Sequence, residues 1–267
     1  MKTVAELMDL RGRTALITGG TGHIGSAMGE ALAELGASIA ILGRSTDACT
    51  TVSERLSNAF GVRTMPFAVD LADEAAVRAV PGRVVDAFGS LDVIIHSAAL
   101  VGTAGLKGWA VPFEEQSAAT WRAALEVNLT SAFVLVQSAS EALAARGRGS
   151  VIMVGSIYGV VGPDLGLYEN TSLGNPAAYA ASKGGLLQLT RWLSTVLAPR
   201  VRVNMLTPGG VERGQPDAFR ERYLRRTPLG RMANEEDLKG AAAFLATDLS
   251  AYVTGQNLIV DGGWTAW

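Results

Sequence analysis

The sequence has a single cysteine, Cys49, among 267 residues, and this scarcity excludes both an internal disulfide and a zinc site built from several cysteines. A chain without disulfides fits a reducing compartment, and we expect a cytoplasmic protein. No apolar run approaches the roughly 20 residues that cross a bilayer, and the charged N-terminal stretch MKTVAELMDLRGR is a poor signal peptide. We therefore expect no membrane partner.

The chain also has no large excess of charge of either sign, because it contains 23 Lys and Arg residues and 25 Asp and Glu residues, which give a net charge of −2. A chain this close to neutral offers no electrostatic attraction for nucleic acid. The only two histidines, His23 and His96, are far apart in sequence, and no metal site is predicted. Hydrophobic residues make up 48% of the chain, which is enough for a substantial core.

Seven short apolar runs alternate with helical patterns from one end of the chain to the other. Their nearly continuous apolar character is typical of parallel strands that are covered on both faces. The pattern predicts one domain, residues 1–267, with a Rossmann-type, doubly wound, seven-stranded parallel α/β sheet and helices on both faces. The predicted strands are residues 13–18, 37–43, 65–70, 91–98, 149–156, 200–206 and 256–260.

Three segments are too long for simple connections: residues 100–116, 160–176 and 209–230. They follow the fourth, fifth and sixth predicted strands. Open α/β sheets bind ligands at the carboxyl ends of their strands, so we expect these segments to border a substrate.

The stretch TGGTGHIG, residues 18–25, lies between the first strand and a helix. A strand, a glycine-rich turn and a helix in this order present backbone N–H groups and a positive helix end to a phosphate. The alternative is a tight turn without a ligand.

The residues after the second strand bear on the choice of coenzyme. Gly43 and Arg44 stand where NAD-binding units usually carry a carboxylate for the ribose 2′-hydroxyl. A guanidinium can bind a 2′-phosphate, so NADP(H) is favoured over NAD(H), unless Arg44 is simply a solvated loop residue. Asp70, at the end of the third strand, either accepts a hydrogen bond from an adenine amino group or caps the helix that begins near Asp73.

The motif YAASK places Tyr179 and Lys183 four residues apart on one helix face. A phenol with a pKa near 10 is a poor base at neutral pH, and a nearby cation brings that pKa toward the working range. Such a pair can also be purely structural, so its meaning depends on its surroundings.

Taken together, the ordered motifs resemble the short-chain dehydrogenase/reductase family over nearly the whole chain. They are TGGTGHIG, Asp70, VNLTSAF, GSIYG, YAASK, RVNMLTPGGV and YVTGQNLIVDGG. The resemblance implies that Tyr179 exchanges a proton with the substrate oxygen and that Ser156 holds this oxygen. It also implies that Lys183 lowers the pKa of Tyr179 and binds the nicotinamide ribose, and that Asn128 anchors a water in a proton relay.

The same resemblance implies a coenzyme site, a homotetramer or dimer, and a subunit contact near the C-terminus. Trp264 and Trp267 would be unusual if fully exposed, so we expect this contact to bury them. The residues implied in coenzyme binding are Gly19, Thr21, Gly22, His23, Ile24, Gly25, Arg44, Asp70, Leu71, Ser97, Ala98, Tyr179, Lys183, Pro208, Gly209 and Val211.

The chain departs from the family pattern at three short motifs. His23 replaces the middle glycine of TGxxxGxG, so the turn instead has the TGxxGxxG spacing of larger sugar-nucleotide epimerases and dehydratases. HSAA, residues 96–99, replaces NNAG. Glu212 and Arg213 follow PGGV where the family has a threonine that contacts the carboxamide.

The fourth departure is a polar insertion. Between Ser156 and Tyr179 lie about twice as many residues as is usual in the family, so the inserted segment must lie beside the active site. Its polarity favours a hydroxyl-rich substrate, although a subunit-contact loop is the alternative. The candidate substrate residues are Tyr158, Tyr168, Asn170 and Arg213.

An excess of arginine between residues 212 and 231 indicates either a site for a substrate carboxylate or phosphate, or a solvated helix face.

We therefore expect an NAD(P)-dependent oxidoreductase that transfers hydride between the nicotinamide and a secondary alcohol or ketone of a polar, sugar-like small molecule. The alternatives are a sugar-nucleotide epimerase or dehydratase with tightly bound NAD(P), and a non-catalytic, coenzyme-binding regulator. The chain also resembles a branch of the family found with enzymes that make sialic-acid-like sugars and other surface carbohydrates.

Overall fold

Seven parallel strands form one sheet within residues 1–101 and 105–267, the part of the chain that this computed structural model describes. The strand order is β3-β2-β1-β4-β5-β6-β7, which confirms the predicted doubly wound arrangement. The strands are β1 (Thr14–Thr18), β2 (Ser38–Gly43), β3 (Thr64–Ala68), β4 (Val93–His96), β5 (Gly149–Val154), β6 (Val201–Pro208) and β7 (Asn257–Val260).

Helices cover both faces of this sheet. One face packs against α2, α3 and α9, and the other packs against α4, α6 and α7. Strands that are apolar on both sides require two such layers, because each face must be removed from water. The helices are α1 (Val4–Met8), α2 (His23–Glu34), α3 (Thr46–Phe60), α4 (Glu74–Phe88), α5 (Ala118–Leu125), α6 (Ser131–Ala144), α7 (Ala177–Val196), α8 (Asp217–Arg226) and α9 (Glu236–Ala246).

The fourth strand is shorter than the apolar run 91–98 that predicts it. Asp92 lies just before the strand, and its buried carboxylate accepts a hydrogen bond from the backbone N–H of Thr14, at 2.9 Å. After His96 the chain turns, and the N–H of Ala98 donates to the hydroxyl of Thr18. Polar side chains thus bond to the backbone of β1 or accept from the chain beyond β4 at the two ends of the strand.

Since all strands are parallel, the segments after β4, β5 and β6 lie at one edge of the sheet. Part of the first predicted substrate segment, residues 102–104, lies outside the described residues. The second segment contains a short 3₁₀ helix, Leu165–Tyr168, and the third contains α8. Among the described residues, no helix is long and apolar enough to span a membrane.

Candidate active site

The glycine-rich turn leads directly into the N-terminus of α2. The N–H groups in the first turn of any helix have no partner inside the helix. In α2 the N-cap is Gly22, which has no side chain to accept from them. Gly19 has a φ of +64°, and a Cβ there would lie 2.8 Å from the Cα of Ala98. Only glycine allows this turn to pack so closely against the segment after β4. The turn thus presents free backbone donors to the adjacent cavity.

That cavity measures about 860 Å³ and lies at the carboxyl edge of the sheet. It brings together every residue predicted above to bind the coenzyme, from the phosphate turn to the segment after β6. The polar donors at the turn and the apolar walls are the features of a dinucleotide site. The residues present therefore fit a nicotinamide dinucleotide.

Gly43 and Arg44 border this cavity at the end of β2. A Cβ at position 43 would come within 3.1 Å of the hydroxyl oxygen of Thr21, so a carboxylate there would crowd the phosphate turn. Arg44 is exposed. Its guanidinium is the cationic group that the sequence predicts for a 2′-phosphate.

Asp70 also lines the cavity. Of its two predicted roles, the structure tests the helix cap. The N-cap of α4 is Asp73, whose carboxylate accepts from the N–H of Ala76 at 3.0 Å. Asp70 instead closes a turn by accepting from the N–H of Ala72 through one oxygen. The capping alternative for Asp70 is therefore wrong, and its exposed carboxylate faces the coenzyme cavity.

Tyr179 and Lys183 lie in the first two turns of α7, at the inner end of the same cavity. Lys183 is buried, and its Nζ donates to the carbonyl oxygen of Val154 at 2.7 Å. Burial lowers the pKa of the Lys183 ammonium to about 8. Burial also raises the pKa of the Tyr179 phenol, and hydrogen bonding to Ser156 opposes this rise.

Ser156 follows β5 and faces Tyr179 across the cavity. Its hydroxyl accepts from the N–H of Tyr158 and begins a short 3₁₀ turn, Ile157–Gly159. A Cβ at Gly159 would lie 2.6 Å from the carbonyl carbon of Lys183, so only glycine lets this turn pack against α7. The close packing holds the serine, the phenol and the ammonium together.

Asn128 lies in a π-helical segment, Glu126–Thr130, between α5 and α6. Its Oδ1 accepts from the N–H of Leu100 at 2.7 Å, and its Nδ2 donates to the hydroxyl of Ser182 at 3.0 Å. The side chain thus joins the segment after β4 to α7. A proton relay through Asn128 stays a prediction.

His96, in the HSAA motif, is fully buried, and its Nε2 lies 3.1 Å from the hydroxyl of Ser131. Burial and the positive charge of Lys183 lower the pKa of His96 to about 3. The imidazole is therefore neutral at physiological pH. No group of three or more His, Cys, Asp or Glu side chains in the described parts of the chain could hold a metal ion.

The candidate substrate residues do not all lie together. Tyr158 and Tyr168 line a second cavity of about 240 Å³, and Ser156 and Tyr179 line it as well. Asn170 is exposed in a left-handed turn, with φ of 56°, and lines neither cavity. Arg213 lines the large coenzyme cavity.

Most of the arginines between residues 212 and 231 contact acidic side chains or carbonyls. Arg220 pairs with Glu212 at 3.0 Å, and Arg231 pairs with Asp237. Arg222 donates to the carbonyl oxygen of Glu169. These contacts tie the segment to its surroundings. Arg213 borders the coenzyme cavity, whereas Arg231 borders a separate small cavity.

Trp264 is buried within its own chain, which corrects the expectation that a subunit contact covers it. Its ring meets Tyr158 at a centroid distance of 6.2 Å and stacks on Tyr223 at 6.1 Å. The guanidinium of Arg226 lies over the same ring. Trp267, in contrast, is 76% exposed.

Sequence reasoning missed several residues of the small cavity. Asn175, four residues before Tyr179, lines it, as does Gln215, whose Nε2 donates to the carbonyl oxygen of Val211. Phe219 and Tyr223 supply an apolar wall from α8. The position of Asn175 beside YAASK is a signal that could have been used, whereas the α8 residues lie too far along the chain.

Comparison with known proteins agrees with this geometry. Residues 20–265 match the family described as "Enoyl-(Acyl carrier protein) reductase". The chain is 35% identical over 259 residues to cis-4-hydroxycyclohexanecarboxylate dehydrogenase of Sinomonas cyclohexanicum, a match that covers 95% of this chain and 97% of that protein.

Two solved structures share the whole fold. A gluconate 5-dehydrogenase from Burkholderia cenocepacia, in complex with NADP and tartrate, matches with a TM-score of 0.84 and 31% identity over 99% of this chain and 100% of that chain. An NAD⁺-bound xylitol dehydrogenase matches with a TM-score of 0.83 and 28% identity over 95% and 99% of the two chains. These neighbours support a nicotinamide coenzyme, and their two coenzymes differ.

Proposed function

The chain belongs to the short-chain dehydrogenase/reductase family, and from this premise we propose that it is an NADP(H)-preferring oxidoreductase. It transfers hydride between the nicotinamide and a secondary alcohol or ketone of a polar, sugar-like small molecule. The observation that carries the proposal is the convergence of Ser156, Tyr179 and Lys183 on the cavity that also contains the phosphate turn. The structural neighbours, which include a gluconate 5-dehydrogenase and a xylitol dehydrogenase, support the substrate class.

In the proposed mechanism the hydroxyl of Ser156 holds the substrate oxygen, and the Tyr179 phenol exchanges a proton with it. The bound coenzyme supplies or accepts the hydride. Lys183 holds a positive charge 5.8 Å from the centre of the Tyr179 ring, which favours the phenolate and so opposes the effect of burial. One proton of its Nζ is engaged by Val154, and the others remain for a ribose hydroxyl.

The coenzyme preference rests on the local charge at the end of β2. Arg44 offers two or more N–H donors to a 2′-phosphate, whereas Gly43 provides no carboxylate for a 2′-hydroxyl. The free N–H groups at the start of α2 would hold the pyrophosphate, which both coenzymes share. Arg44 is therefore the group that discriminates between them.

The test is a fluorescence titration of the protein with NADPH and with NADH. We expect tighter binding of NADPH, and Arg44→Gln should weaken NADPH binding about tenfold or more while NADH binding changes little. Arg200→Gln, an exposed arginine just before β6 at the opposite edge of the sheet, is the control and should change neither affinity. Equal affinity for both coenzymes in the unmodified protein would contradict the preference.

We also propose a cytoplasmic protein that assembles as a homotetramer or a dimer. Apolar side chains that remain exposed on α7 and near the C-terminus support the assembly. Trp192 and Val196 are 54% and 55% exposed, and Trp267 is more exposed still. Exposed apolar groups of this size are typical of contact surfaces. The resemblance to the branch found with sialic-acid-like sugar biosynthesis stays a prediction.

A further inference from the structure

The small cavity beside Ser156 and Tyr179 has a lining that is polar but uncharged. Its described lining residues include no Asp, Glu, Lys or Arg. The nearest arginines of α8 are already engaged, since Arg226 pairs with Asp164 at 2.9 Å and Arg222 donates to the carbonyl of Glu169. A carboxylate or phosphate that entered this cavity would lose its hydration without meeting a cation, which is unfavourable.

Asn175 is a polar group of this lining whose hydrogen-bonding capacity is largely unused. Both its Oδ1 and its Nδ2 are buried, and neither makes a hydrogen bond of good geometry within the described part of the chain, although the amide lies close enough to the hydroxyl of Tyr168 to lower the pKa of that phenol. Buried amides are nearly always paired, because an unpaired one retains the full cost of leaving water. An exception beside the catalytic residues points to a partner that arrives with the substrate.

Tyr158, in the GSIYG motif, and Tyr168, in the insertion, add a further hydrogen-bond donor. The hydroxyl of Tyr168 donates to the hydroxyl of Tyr158 at 2.7 Å, so the proton of Tyr158 points elsewhere. Burial raises the pKa of both phenols, which keeps them neutral and able to donate. Tyr158 lies two residues after Ser156 and lines the same cavity.

We propose that Asn175, together with the Tyr158–Tyr168 pair, recognises a second, uncharged hydroxyl group of the substrate close to the reacting carbon. The proposal rests on the function proposed above and narrows its substrate class. A cavity of about 240 Å³ without charge fits a small polyol, a cyclic diol or the corresponding hydroxy ketone, and disfavours a sugar acid. Asn175 supplies both a donor and an acceptor, which a hydroxyl group can use together.

The experiment compares cyclohexanol, trans-1,2-cyclohexanediol, xylitol and gluconate in the oxidation direction, with kcat/KM measured for each. We expect the unmodified protein to prefer the diol and xylitol over cyclohexanol and gluconate. Asn175→Ala should lower the diol-to-cyclohexanol ratio of kcat/KM about tenfold or more and leave cyclohexanol oxidation nearly unchanged. Glu169→Gln, in the same insertion but exposed and outside both cavities, should leave the ratio unchanged.

Binding is measured as well, by calorimetric titration of the coenzyme-saturated protein with the diol and with cyclohexanol. If Asn175→Ala weakens diol binding alone while no alcohol is oxidised, the recognition stands and the proposed oxidoreductase function fails. An equal effect of Asn175→Ala on diol and cyclohexanol, with unchanged coenzyme affinity, would overturn the recognition. A preference for gluconate over the neutral polyols would overturn it also.

A separate observation concerns Arg213 and the coenzyme. Oε1 of Glu235 lies 3.5 Å from Nδ1 of His23 and 3.7 Å from NH2 of Arg213. His23 is the first residue of α2, so this carboxylate holds the guanidinium close to the phosphate turn. Arg213 and His23 both line the coenzyme cavity. Two departures from the family pattern, far apart in sequence, thus meet at one carboxylate.

We infer that Arg213 binds the pyrophosphate of the coenzyme and that Glu235 positions it. A guanidinium that borders the phosphate end of the cavity would add charge-assisted hydrogen bonds to those of the α2 N-terminus. This position also separates it from the uncharged substrate cavity, whose lining does not include it.

The test is a fluorescence or calorimetric titration with NADPH, NADH and ADP-ribose, which contains the pyrophosphate but no nicotinamide. Arg213→Gln should weaken all three by a similar factor of about ten, with the NADPH-to-NADH ratio unchanged. Arg220→Gln, which removes an arginine outside both cavities, is the control. Normal ADP-ribose binding by Arg213→Gln would overturn the inference, whether or not the nicotinamide coenzymes bind more weakly.

Discussion

Burial acts on the two candidate proton-transfer residues in opposite directions. It raises the pKa of the Tyr179 phenol and lowers that of the Lys183 ammonium to about 8, because each charged form loses hydration. The pKa of the ammonium thereby falls below that of the phenol, which leaves the ammonium the more acidic of the two groups. The phenol therefore stays protonated at neutral pH, and in the proposed mechanism the nearby charge of Lys183 stabilises the phenolate that forms when the proton is exchanged.

Tyr179→Phe tests this chemistry directly. The variant keeps the ring that packs in the site and loses the exchangeable proton, so we expect turnover to fall by about 10²–10⁴-fold. Coenzyme affinity should remain, because the phosphate turn and Arg44 are untouched. Tyr252→Phe, which alters a fully exposed tyrosine, serves as the control for steady-state kinetics and coenzyme titration. Retained turnover in Tyr179→Phe would contradict the proposed mechanism.

His96 makes a prediction about acid stability. Its pKa is near 6.5 in an unfolded chain and about 3 when folded. Between these values the unfolded chain binds a proton that the folded chain does not, so stability is lost as the pH falls below about 6.5. From pH 7.5 to pH 5 this single group should cost about 2 kcal/mol of the free energy of unfolding.

His96→Asn removes this contribution and restores the residue that the family pattern has at this position. In urea unfolding at pH 7.5 and pH 5, the unmodified protein should lose about 2 kcal/mol more than His96→Asn over this interval. Parallel pH profiles for His96→Asn and the unmodified protein would show that His96 contributes nothing.

At the scale of elements, the insertion between β5 and α7 is held by α8 and the C-terminal segment. Leu167 is buried in a cluster with Phe219, Tyr223, Met232 and Trp264. This cluster is separate from the two clusters that pack on the sheet faces. The two cavities share several lining residues, but this cluster supports the proposed substrate cavity and not the phosphate turn, so we expect its loss to affect the substrate more than the coenzyme.

Leu167→Ala should loosen the insertion at a cost of about 2–5 kcal/mol of local packing, because it removes a buried side chain. We expect a raised KM for the substrate and an unchanged dissociation constant for the coenzyme. Leu165→Ala, in the same 3₁₀ helix but 64% exposed, should leave both unchanged. Weaker coenzyme binding in Leu167→Ala would show that the insertion supports both cavities.

At the scale of the whole molecule, the proposed assembly predicts that the exposed face of α7 is covered in solution. Trp192→Glu places a charge on this face, and burying an unpaired charge is unfavourable, so the assembly should dissociate into smaller species. Light scattering coupled to gel filtration measures the change in mass. Arg191→Glu, a neighbouring exposed position, is the control for added negative charge. A monomeric unmodified protein would contradict the assembly.

Local pattern was enough to predict much of this molecule. The seven apolar runs, the glycine-rich turn and the four-residue spacing of Tyr179 and Lys183 are properties of contiguous sequence, so the fold and these motifs could be recognised before the structure. Strand ends were less predictable. Asp92 lies within the run that predicts β4 and yet outside the strand itself, and its carboxylate bonds to the backbone of a different strand, a contact that the run does not reveal.

The amino-acid sequence by itself determined the doubly wound sheet, the phosphate turn and the candidate proton-transfer pair, since hydrophobic periodicity and local spacing encode them. Only the tertiary structure decided which polar groups find partners inside the chain. Trp264 is covered by side chains from distant segments, and the arginines near α8 meet acidic groups or carbonyls. Asn175, in contrast, makes no hydrogen bond of good geometry within the described residues. These pairings join segments that are remote along the chain, so they cannot be read from local spacing.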